Sequence, residues 1–391
     1  MVAVGAVTKL GSALCPAYAL TSNGIDPLHR MPPDHPAAEM LYESRRIQAE
    51  LRAEHRMSMQ DKKSVNGQPF VVVSSPEMHT MAESVTRIIE RKYGVVLPHY
   101  RAAHEIFKNG EILPRIPETV RRQHVFFFHG MQFPSPNDGL VSALLMNDAL
   151  RRASALGITL VAPYLPYLRQ DRKDKRRAPI SARMLADVLE SNKSLQRIIT
   201  ADMHADQAQG FFSVPVDNLT CMKLFAEYAA KHIANIGQAV IGAPDTGGVV
   251  RAERFGRIVG SPFIAFCLKK RPAANKSITG ATAGDPVKGR RVILVDDMID
   301  TGGSTMGAVE KFLSDGATEV DVFATHAILS GDAEKRFFGS KLRIHTTDSI
   351  PRSSEYGANH ASWLTTISID DLLADAVYEA SITGGSISKL S

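Results

Sequence analysis

Residues 292–305 read Val-Ile-Leu-Val-Asp-Asp-Met-Ile-Asp-Thr-Gly-Gly-Ser-Thr, an apolar run followed by acids, glycines and hydroxyls. Apolar residues at helical spacing come next, at Met306, Val309 and Phe312. The run predicts a buried parallel strand, and the spacing predicts a helix after the intervening loop. In α/β proteins, ligands bind at the carboxyl ends of such strands. The segment therefore predicts an α/β fold with a ligand site in residues 296–305.

The loop in this segment contains the residue types that bind a phosphorylated sugar. Gly302 and Gly303 let the backbone approach a ligand, and the free N–H groups at the start of the helix favour a phosphate. The remaining polar side chains are Asp296, Asp297, Asp300, Thr301, Ser304 and Thr305. The first two acids are placed to bind the hydroxyls of a sugar. The alternative without a ligand is a glycine-rich turn capped by aspartate.

Length and composition limit the classes of protein that fit. At 391 residues, the chain is long enough for two domains of ordinary size and an extension. A hydrophobic content of 44% and a charged content of 22% are typical of a soluble globular protein. No run approaches the ~20 apolar residues of a membrane span. The composition therefore predicts a protein without a membrane segment.

The net charge of +5 is modest, but residues 169–177 hold six cations against two acids. Such a run is found in nucleic-acid-binding proteins and in nuclear import signals. Because it follows an apolar segment, we interpret it instead as a loop at a strand end that binds a small polyanionic ligand. A solvated charged face is the remaining alternative. No nucleic-acid partner is predicted.

The cysteines and the N-terminus indicate a cytoplasmic protein. Cys15, Cys221 and Cys267 are widely spaced and show no metal-ligand pairing. A sparse, odd number of cysteines is typical of a reducing cytosol. No cation precedes Lys9 in the mildly apolar N-terminal segment, so no secretory signal is predicted, although an organellar transit peptide stays open.

Strand and helix patterns alternate from Phe70 onward, which predicts parallel sheets covered by helices on both faces. The predicted strands are residues 70–73, 125–128, 158–161, 197–200, 239–242, 263–267, 292–295 and 320–324. Helices are predicted at residues 140–155 and 180–189, around Met81 to Ile89, and around Ile369 to Val377. Before them, residues 37–56 form a predicted helix in an extension that has no core pattern.

Two further motifs follow predicted strands. Asp202-Met203-His204-Ala205-Asp206 follows residues 197–200, and a histidine beside carboxylates can coordinate a divalent cation or orient a phosphate. Asp245-Thr246-Gly247-Gly248 repeats the Asp-Thr-Gly-Gly of the first loop. Two Asp-Thr-Gly tripeptides also suggest an aspartic protease, in which two carboxylates share a proton on β-rich lobes. Here each tripeptide lies between a strand and a helix, which argues against a protease.

Two more segments have the composition of ligand contacts. Lys269-Lys270-Arg271-Pro272 precedes residues 273–284, whose small residues predict a mobile loop that could close over a transferring phosphate chain. A solvated basic turn is the alternative. Residues 107–111 place an aromatic ring beside an amide and a carboxylate, which could bind a purine base or form an ordinary turn. No G-x-x-x-x-G-K-[ST] loop occurs, so no ATP site of the Walker type is predicted.

Taken together, these motifs resemble ribose-phosphate pyrophosphokinase (PRPP synthetase) of the phosphate-dependent class, from about Phe70 to the C-terminus. The resemblance implies two tandem phosphoribosyltransferase-type α/β domains. It also implies transfer of the diphosphate of ATP to the C1 hydroxyl of ribose 5-phosphate, with Mg²⁺ as cofactor. The expected division of the chain is an extension at 1–66, an ATP-side domain at 67–215, a ribose-5-phosphate-side domain at 216–368, and a C-terminal helix and tail at 369–391 that pack back on the first domain.

The resemblance also implies roles for individual residues. Catalytic positions are Lys269, Arg271 and His204, and the magnesium positions are His204 and Asp245. ATP-binding positions are Phe107, Asn109, Glu111, Arg169, Gln170 and Asp171. The ribose-5-phosphate positions are Asp245, Asp296, Asp297, Asp300, Thr301, Gly302, Gly303, Ser304 and Thr305. The family usually has aspartate where this chain has Asn109, which removes a charge from the adenine site.

Oligomerisation and two other functions complete the expectations. The resemblance implies a homo-oligomer built from dimers, such as a hexamer, with Phe107 and Glu111 contacting adenine across a subunit boundary. One alternative function is a phosphoribosyltransferase that consumes PRPP, which would share the loop at 292–305 but would not need a second such domain, the segment at 169–173 or the His204 motif. The other is a catalytically silent associated subunit that regulates an active homologue.

Overall fold

The computed structural model describes residues 70–173, 175–273, 276–340, 342–382 and 384–390, with the backbone alone for residues 269–273, 276–279 and 389. The predicted extension at 1–66 and its helix at 37–56 lie outside the described residues. In the first half of the described chain the strands are β1 (Phe70–Ser74), β2 (His99–Arg101), β3 (Ala103–Ile106), β4 (Ile112–Arg115), β5 (His124–Phe128), β6 (Gly157–Val161), β7 (Leu195–Ala201) and β8 (Val216–Leu219).

Six of these strands form the first sheet, in the order β2-β1-β5-β6-β7-β8. All its pairings are parallel, and most residues of the central strands are fully buried, as expected for a sheet covered on both faces. β3 and β4 pair separately as an antiparallel hairpin. The sheet is flanked by α1 (His79–Tyr93), α2 (Pro136–Arg152) and α3 (Ser181–Leu189).

Local sequence signals set the ends of these helices. α1 ends at Gly94, whose φ of +68° is accessible to glycine at little cost and whose N–H donates to the Glu90 carbonyl. α2 begins after Ser135, whose hydroxyl accepts the Asp138 N–H, with a proline in the first turn. Both helices bury one apolar face against the first sheet.

The second sheet contains the strands β9 (Val240–Ala243), β10 (Ile264–Ala273), β11 (Lys276–Gly284), β12 (Arg291–Ile299), β13 (Glu319–Ala327), β14 (Arg343–Thr347) and β15 (Leu364–Ile367). Their order is β11-β10-β9-β12-β13-β14-β15, and all pairs are parallel except the antiparallel β10–β11 edge. The helices are α4 (Met222–His232), α5 (Val249–Val259), α6 (Gly303–Ser314), α7 (Ala333–Phe337), α8 (Ser354–His360) and α9 (Asp370–Ser381).

The α/β fold with parallel sheets is confirmed, and all eight predicted strands are present. The segment at 273–284 does not form the predicted loop, because most of it is strand β11, paired with β10 from Ala265 to Ala273; its predicted mobility stays a prediction. Small residues do not prevent pairing when the hydrogen bonds are made by the backbone. The strand before the Asp-Thr-Gly-Gly loop is also longer than predicted. β12 continues to Ile299, so Asp296 and Asp297 lie within the strand.

The last helix, α9, packs against α1 of the first half of the chain. The Tyr93 and Tyr378 rings stack with their centroids 3.7 Å apart. The Tyr93 hydroxyl donates to Asp375 over 2.6 Å, and Lys92 forms an ion pair with the same carboxylate. None of the helices in the described part of the chain is long and apolar enough to cross a membrane.

Candidate active site

The carboxyl ends of β7 and β12 face each other across a cavity of about 480 Å³. Residues from both halves of the chain line it. Those from the first half are Arg169 and His204, and those from the second half are Asp245, Gly247, Gly248, Arg251, Asp296, Asp297, Met298, Asp300, Thr301, Gly302, Gly303, Ser304 and Thr305. Hence the structure brings together all the predicted ribose-5-phosphate positions, both predicted magnesium positions and one of the predicted ATP positions.

His204 and Asp297 form a short polar contact across this cavity. Their atoms Nδ1 and Oδ2 are 2.7 Å apart, and Asp297 is 4% exposed. Burial would raise the pKa of Asp297, but the hydrogen bond from His204 and the charge of Arg251 outweigh it and hold the pKa well below its ordinary value. Asp297 is therefore ionised and accepts, and His204 donates from Nδ1.

Arg251 contacts both acids of the Asp296–Asp297 pair. Its Nη1 is 3.0 Å from Oδ1 of Asp296 and 3.2 Å from Oδ1 of Asp297. Burial and the neighbouring Asp297 carboxylate raise the pKa of Asp296 well above its ordinary value. Arg251 favours the ionised form of both acids, but for Asp296 burial and the Asp297 carboxylate outweigh it. The sequence interpretation assigned no role to Arg251, although its position in the first turns of the helix after Gly247-Gly248 was a usable signal.

The loop after β12 leads directly into the N-terminus of α6. Gly302 has a φ of +73°, and a Cβ at this position would lie 2.5 Å from Cζ of Phe337, so only glycine fits. Thr301, Gly303, Ser304 and Thr305 surround the first turn of α6, where the helix dipole favours an anion. This geometry supports the predicted phosphate-binding role of the loop.

Asp300, at the start of the same loop, is held from two sides. Nη1 of Arg169 lies 2.6 Å from its Oδ2, and the Ser330 hydroxyl donates to its Oδ1. Burial would raise the pKa of Asp300, but these two hydrogen bonds lower it. Arg169 also points nitrogen atoms at the sulfur of Met298. Since Arg169 belongs to the first half of the chain, this ion pair is a second bridge across the cavity.

The second Asp-Thr-Gly-Gly segment follows β9 in the same way that the first follows β12. Asp245 precedes a 3₁₀ turn, and its Oδ1 accepts the Gly247 N–H over 2.9 Å. α5 begins immediately afterwards, at Val249. The two loops lie side by side because β9 and β12 are neighbouring parallel strands.

The donor set fits a magnesium ion that is shared with substrate phosphates. Among the described side chains, no three His, Cys, Asp or Glu groups lie close enough to hold a metal ion by themselves. Mg²⁺ usually keeps several waters and binds one or two protein groups together with phosphates. His204 and Asp245 line the same cavity, and because Nδ1 of His204 bonds to Asp297, its Nε2 is the nitrogen that would hold a cation.

Comparisons with known proteins agree with this architecture. Residues 70–192 match the family model described as the N-terminal domain of ribose phosphate pyrophosphokinase, and residues 268–390 match the phosphoribosyl synthetase-associated domain. The ribose-phosphate pyrophosphokinase of Vibrio vulnificus is 40% identical over 309 residues, which are 77% of this chain and 95% of that protein. The chain belongs to the ribose-phosphate pyrophosphokinase family.

Other members of the family show the same extent of similarity. The ribose-phosphate pyrophosphokinase of Lactococcus lactis is 39% identical over 301 residues, covering 76% of this chain and 89% of the relative. The crystal structure of phosphoribosylpyrophosphate synthetase from Mycobacterium smegmatis superimposes with a TM-score of 0.70 at 34% identity. It covers 80% of this chain and 99% of that chain. The two-domain fold predicted from the resemblance to this family is therefore confirmed.

Five of the six predicted ATP-binding residues do not line the cavity. Phe107, Asn109 and Glu111 lie in and beside the turn between β3 and β4, where Asn109 Oδ1 accepts the Glu111 N–H. Gln170 accepts from Ser181, and Asp171 accepts from Gln207. The backbone of Lys269 and Arg271 belongs to β10, and their side chains lie outside the described part of the structure.

Proposed function

We propose that the chain transfers the diphosphate of ATP to the C1 hydroxyl of ribose 5-phosphate, giving 5-phosphoribosyl 1-diphosphate and AMP for nucleotide biosynthesis. The observation that carries the proposal is the cavity itself. A glycine loop and four acids (Asp245, Asp296, Asp297 and Asp300) from the second half of the chain face Arg169 and His204 from the first half. Membership of the ribose-phosphate pyrophosphokinase family supports the same reaction.

In this proposal, the loop at the start of α6 binds the 5-phosphate of the sugar. The N–H groups of the first helical turn and the hydroxyls of Thr301, Ser304 and Thr305 supply donors. Asp296 and Asp297 accept hydrogen bonds from the ribose hydroxyls, and Arg251 keeps the two carboxylates in place beneath the ring. Asp300 would exchange its ion pair with Arg169 for contacts to the substrate.

We assign ATP and Mg²⁺ to the opposite side of the cavity. Arg169, Gln170 and Asp171 would bind the nucleotide, and His204 and Asp245 would hold the cation. When bound, Mg²⁺ neutralises charge on the transferring phosphates. We assign Lys269 and Arg271 to the same task, because diphosphoryl transfer depends on positioning and charge stabilisation more than on covalent chemistry.

The position of the β3–β4 hairpin supports a site shared between subunits. Phe107, Asn109 and Glu111 lie outside the cavity formed by their own chain. Apolar side chains are exposed nearby, with Ile106 at 64% and Val141 of α2 at 51%. Burial of such residues against another copy would remove apolar surface from water. We propose a homo-oligomer built from dimers, such as a hexamer, in which this hairpin contacts the adenine of a neighbouring subunit.

The domain division that accompanies this proposal differs slightly from the sequence expectation. β8 (Val216–Leu219) pairs with β7 in the first sheet, although the expected boundary falls at 215/216. We therefore place the end of the ATP-side domain after Leu219. The C-terminal helix and tail, expected at 369–391, return to this domain through the contact between α9 and α1.

The reaction is tested by incubating the purified chain with ATP, ribose 5-phosphate, Mg²⁺ and phosphate, and quantifying AMP and PRPP. Equal amounts of both products are expected. If no AMP forms, and PRPP supplied in a second incubation with a nucleobase is consumed, a phosphoribosyltransferase is indicated instead. A folded chain that binds ribose 5-phosphate, forms no AMP and changes the rate of an active homologue would indicate a silent associated subunit.

The shared site is tested by mixing two inactive variants. Phe107→Ala and His204→Ala are each expected to lose most activity. If adenine is bound across a subunit boundary, a co-refolded mixture regains activity, because some sites then combine an intact Phe107 with an intact His204. Two copies of one variant refolded together serve as the control. No recovery in mixed oligomers that mass spectrometry shows to have formed would contradict a shared site.

A further inference from the structure

Three hydrogen bonds tie the end of β7 to the second sheet, and only one of them involves a residue assigned to the active site. The pairs are Ala201 O with His326 Nε2 at 3.0 Å, Asp202 Oδ2 with Thr325 Oγ1 at 2.6 Å, and His204 Nδ1 with Asp297 Oδ2 at 2.7 Å. The partners lie on the neighbouring strands β12 and β13, where Met298 pairs in register with His326. The residues of the first two contacts do not line the cavity.

Asp202 is oriented into this contact region. Its Oδ2 accepts from the Thr325 hydroxyl and from the Cys221 N–H at 3.0 Å, and its Oδ1 accepts from Thr220 at 3.2 Å. Its backbone has a φ of +35°, a conformation that non-glycine residues rarely adopt. The surrounding hydrogen bonds therefore have to hold this turn in place. These contacts give Asp202 a bridging role, and its role beside a cation site stays a prediction.

His326 forms the hydrogen bond to Ala201 that links the two sheets, and its neighbours determine its protonation state and tautomer. The ring is 1% exposed, and Tyr164 of the first half of the chain contacts it edge-on. Burial lowers the pKa of His326, so the ring is neutral. Since a backbone carbonyl can only accept, Nε2 carries the proton and donates to Ala201. The other nitrogen, Nδ1, then accepts from the hydroxyl of Ser349 at 2.8 Å.

His204 depends on these bridges because its own surroundings do not hold it. Its side chain is 40% exposed, whereas the carboxylate of Asp297 is 5% exposed. Packing therefore holds the carboxylate of Asp297, the hydrogen-bond acceptor, in place. It does not hold the imidazole of His204, the donor. The direction of the imidazole is set by the backbone of residues 201–204, and that backbone is attached to the second sheet through Thr325 and His326.

We propose that Thr325 and His326 are positioning residues, which hold the end of β7 against the second sheet so that His204 meets Asp297 in the active site. Neither residue lines the cavity. They act on the reaction through His204, and this inference rests on the proposed function for its kinetic readout. It also predicts that the two domains are coupled through these contacts.

The first test compares Thr325→Val, which keeps the shape but loses the hydroxyl, with Thr325→Ser, which keeps it. Thr325→Val is expected to lower kcat at least 10-fold with KM for ATP changed less than 2-fold, and Thr325→Ser to stay within 2-fold of the wild type in kcat. The matched control is Thr200→Val. Thr200 is a buried residue of β7 whose hydroxyl donates to Pro163 within the first domain, and its loss is expected to leave kcat unchanged.

A second variant pair keeps the inference testable if Thr325→Val does not fold. His326→Leu removes the donor to Ala201, and His326→Gln places an amide N–H near the position of Nε2. As for the Thr325 variants, kcat is expected to fall at least 10-fold in His326→Leu and to stay within 2-fold of the wild type in His326→Gln. In a His204→Ala background, Thr325→Val is expected to have no further effect on kcat. Equal losses in both backgrounds would show a general structural role and overturn the inference.

An independent readout separates this inference from the proposed function. In ¹⁵N-histidine-labelled protein, the Nδ1–H resonance of His204 is assigned by its loss in His204→Gln. It is expected downfield in the wild type, lost or exchange-broadened in Thr325→Val, and retained in Thr325→Ser. If the wild type forms no AMP or PRPP, the proposed function fails, and this signal still decides the positioning role. An unchanged signal in Thr325→Val would refute it.

Discussion

Replacing Arg251 with methionine is expected to destabilise the protein strongly, because one guanidinium is shared by two adjacent acids. Its Nη1 lies 3.0 Å from Asp296 and 3.2 Å from Asp297, and the three side chains are 22%, 19% and 5% exposed. Removing one member of a largely buried ion pair typically costs about 3–5 kcal/mol, since a charge is left without compensation. Methionine preserves most of the apolar contacts of the arginine stem. The loss in the free energy of unfolding therefore measures the effect of removing the charge.

The assay is urea unfolding at pH 7.5, with the free energy of unfolding extrapolated to water. Arg251→Met is expected to lower this free energy by about 3 kcal/mol or more, because two largely buried acids lose their cation. In an Asp296→Asn background the loss should be no more than about half as large, since only one acid then needs compensation. Arg197→Met, which breaks a more exposed pair with Asp217, serves as the control and should cost about 1 kcal/mol or less.

Two outcomes would refute this reasoning about Arg251. A loss below about 1 kcal/mol would mean that the carboxylates are solvated or protonated without the guanidinium, as for an exposed pair. An equal loss in the Asp296→Asn background would mean that Arg251 acts through packing and not through the two charges. The same variants would also be examined for ribose 5-phosphate affinity, which is expected to fall with the stability, because both acids are assigned to the ribose hydroxyls.

Three further predictions follow from the described contacts. Burial raises the pKa of Asp348 from 3.8 to about 6, so its contribution to stability is lost as pH rises through 6. Asp348→Asn should therefore add about 3 kcal/mol to the free energy of unfolding at pH 8 and nothing at pH 4, and an equal effect at both would contradict it. Burial lowers the pKa of His129 from 6.5, so stability is lost as pH falls below that value. His129→Gln should reduce the fall in the free energy of unfolding between pH 7.5 and 5.5 by up to about 1.4 kcal/mol. An unchanged fall would argue against a neutral buried ring. Gly302→Ala, which would place a Cβ 2.5 Å from Phe337, should weaken ribose 5-phosphate binding at least 10-fold in calorimetry, and unchanged affinity would exclude the loop as the phosphate site.

The sequence could predict β12, its glycine loop and α6 because each has a local signal. An apolar run, a positive-φ glycine and a helical period lie within a few residues of one another. β11 was missed since its pairing with β10 uses backbone hydrogen bonds and needs no apolar alternation. The sequence placed Asp296 and Asp297 after the strand, because buried strands seldom contain acids unless a positively charged partner stabilises them.

The partner residues of the site could not be predicted, since they come from distant parts of the chain. Arg251 lies 45 residues from Asp296, and the Thr325 hydroxyl reaches Asp202 across 123 residues. Which side chains meet across two sheets depends on strand order and register, and the sequence alone does not fix them. His204, in contrast, was predicted because its motif follows a strand directly.

The most direct test of the central claim uses ATP labelled with ³²P in the β-phosphate, incubated with ribose 5-phosphate, Mg²⁺ and the purified chain. Transfer of an intact diphosphate within the cavity predicts that the label moves to PRPP, in an amount equal to the unlabelled AMP released. Asp297→Asn should reduce this transfer sharply. Label that remains in ADP, or that is released as free diphosphate without PRPP, would contradict the assignment of this cavity to diphosphate transfer.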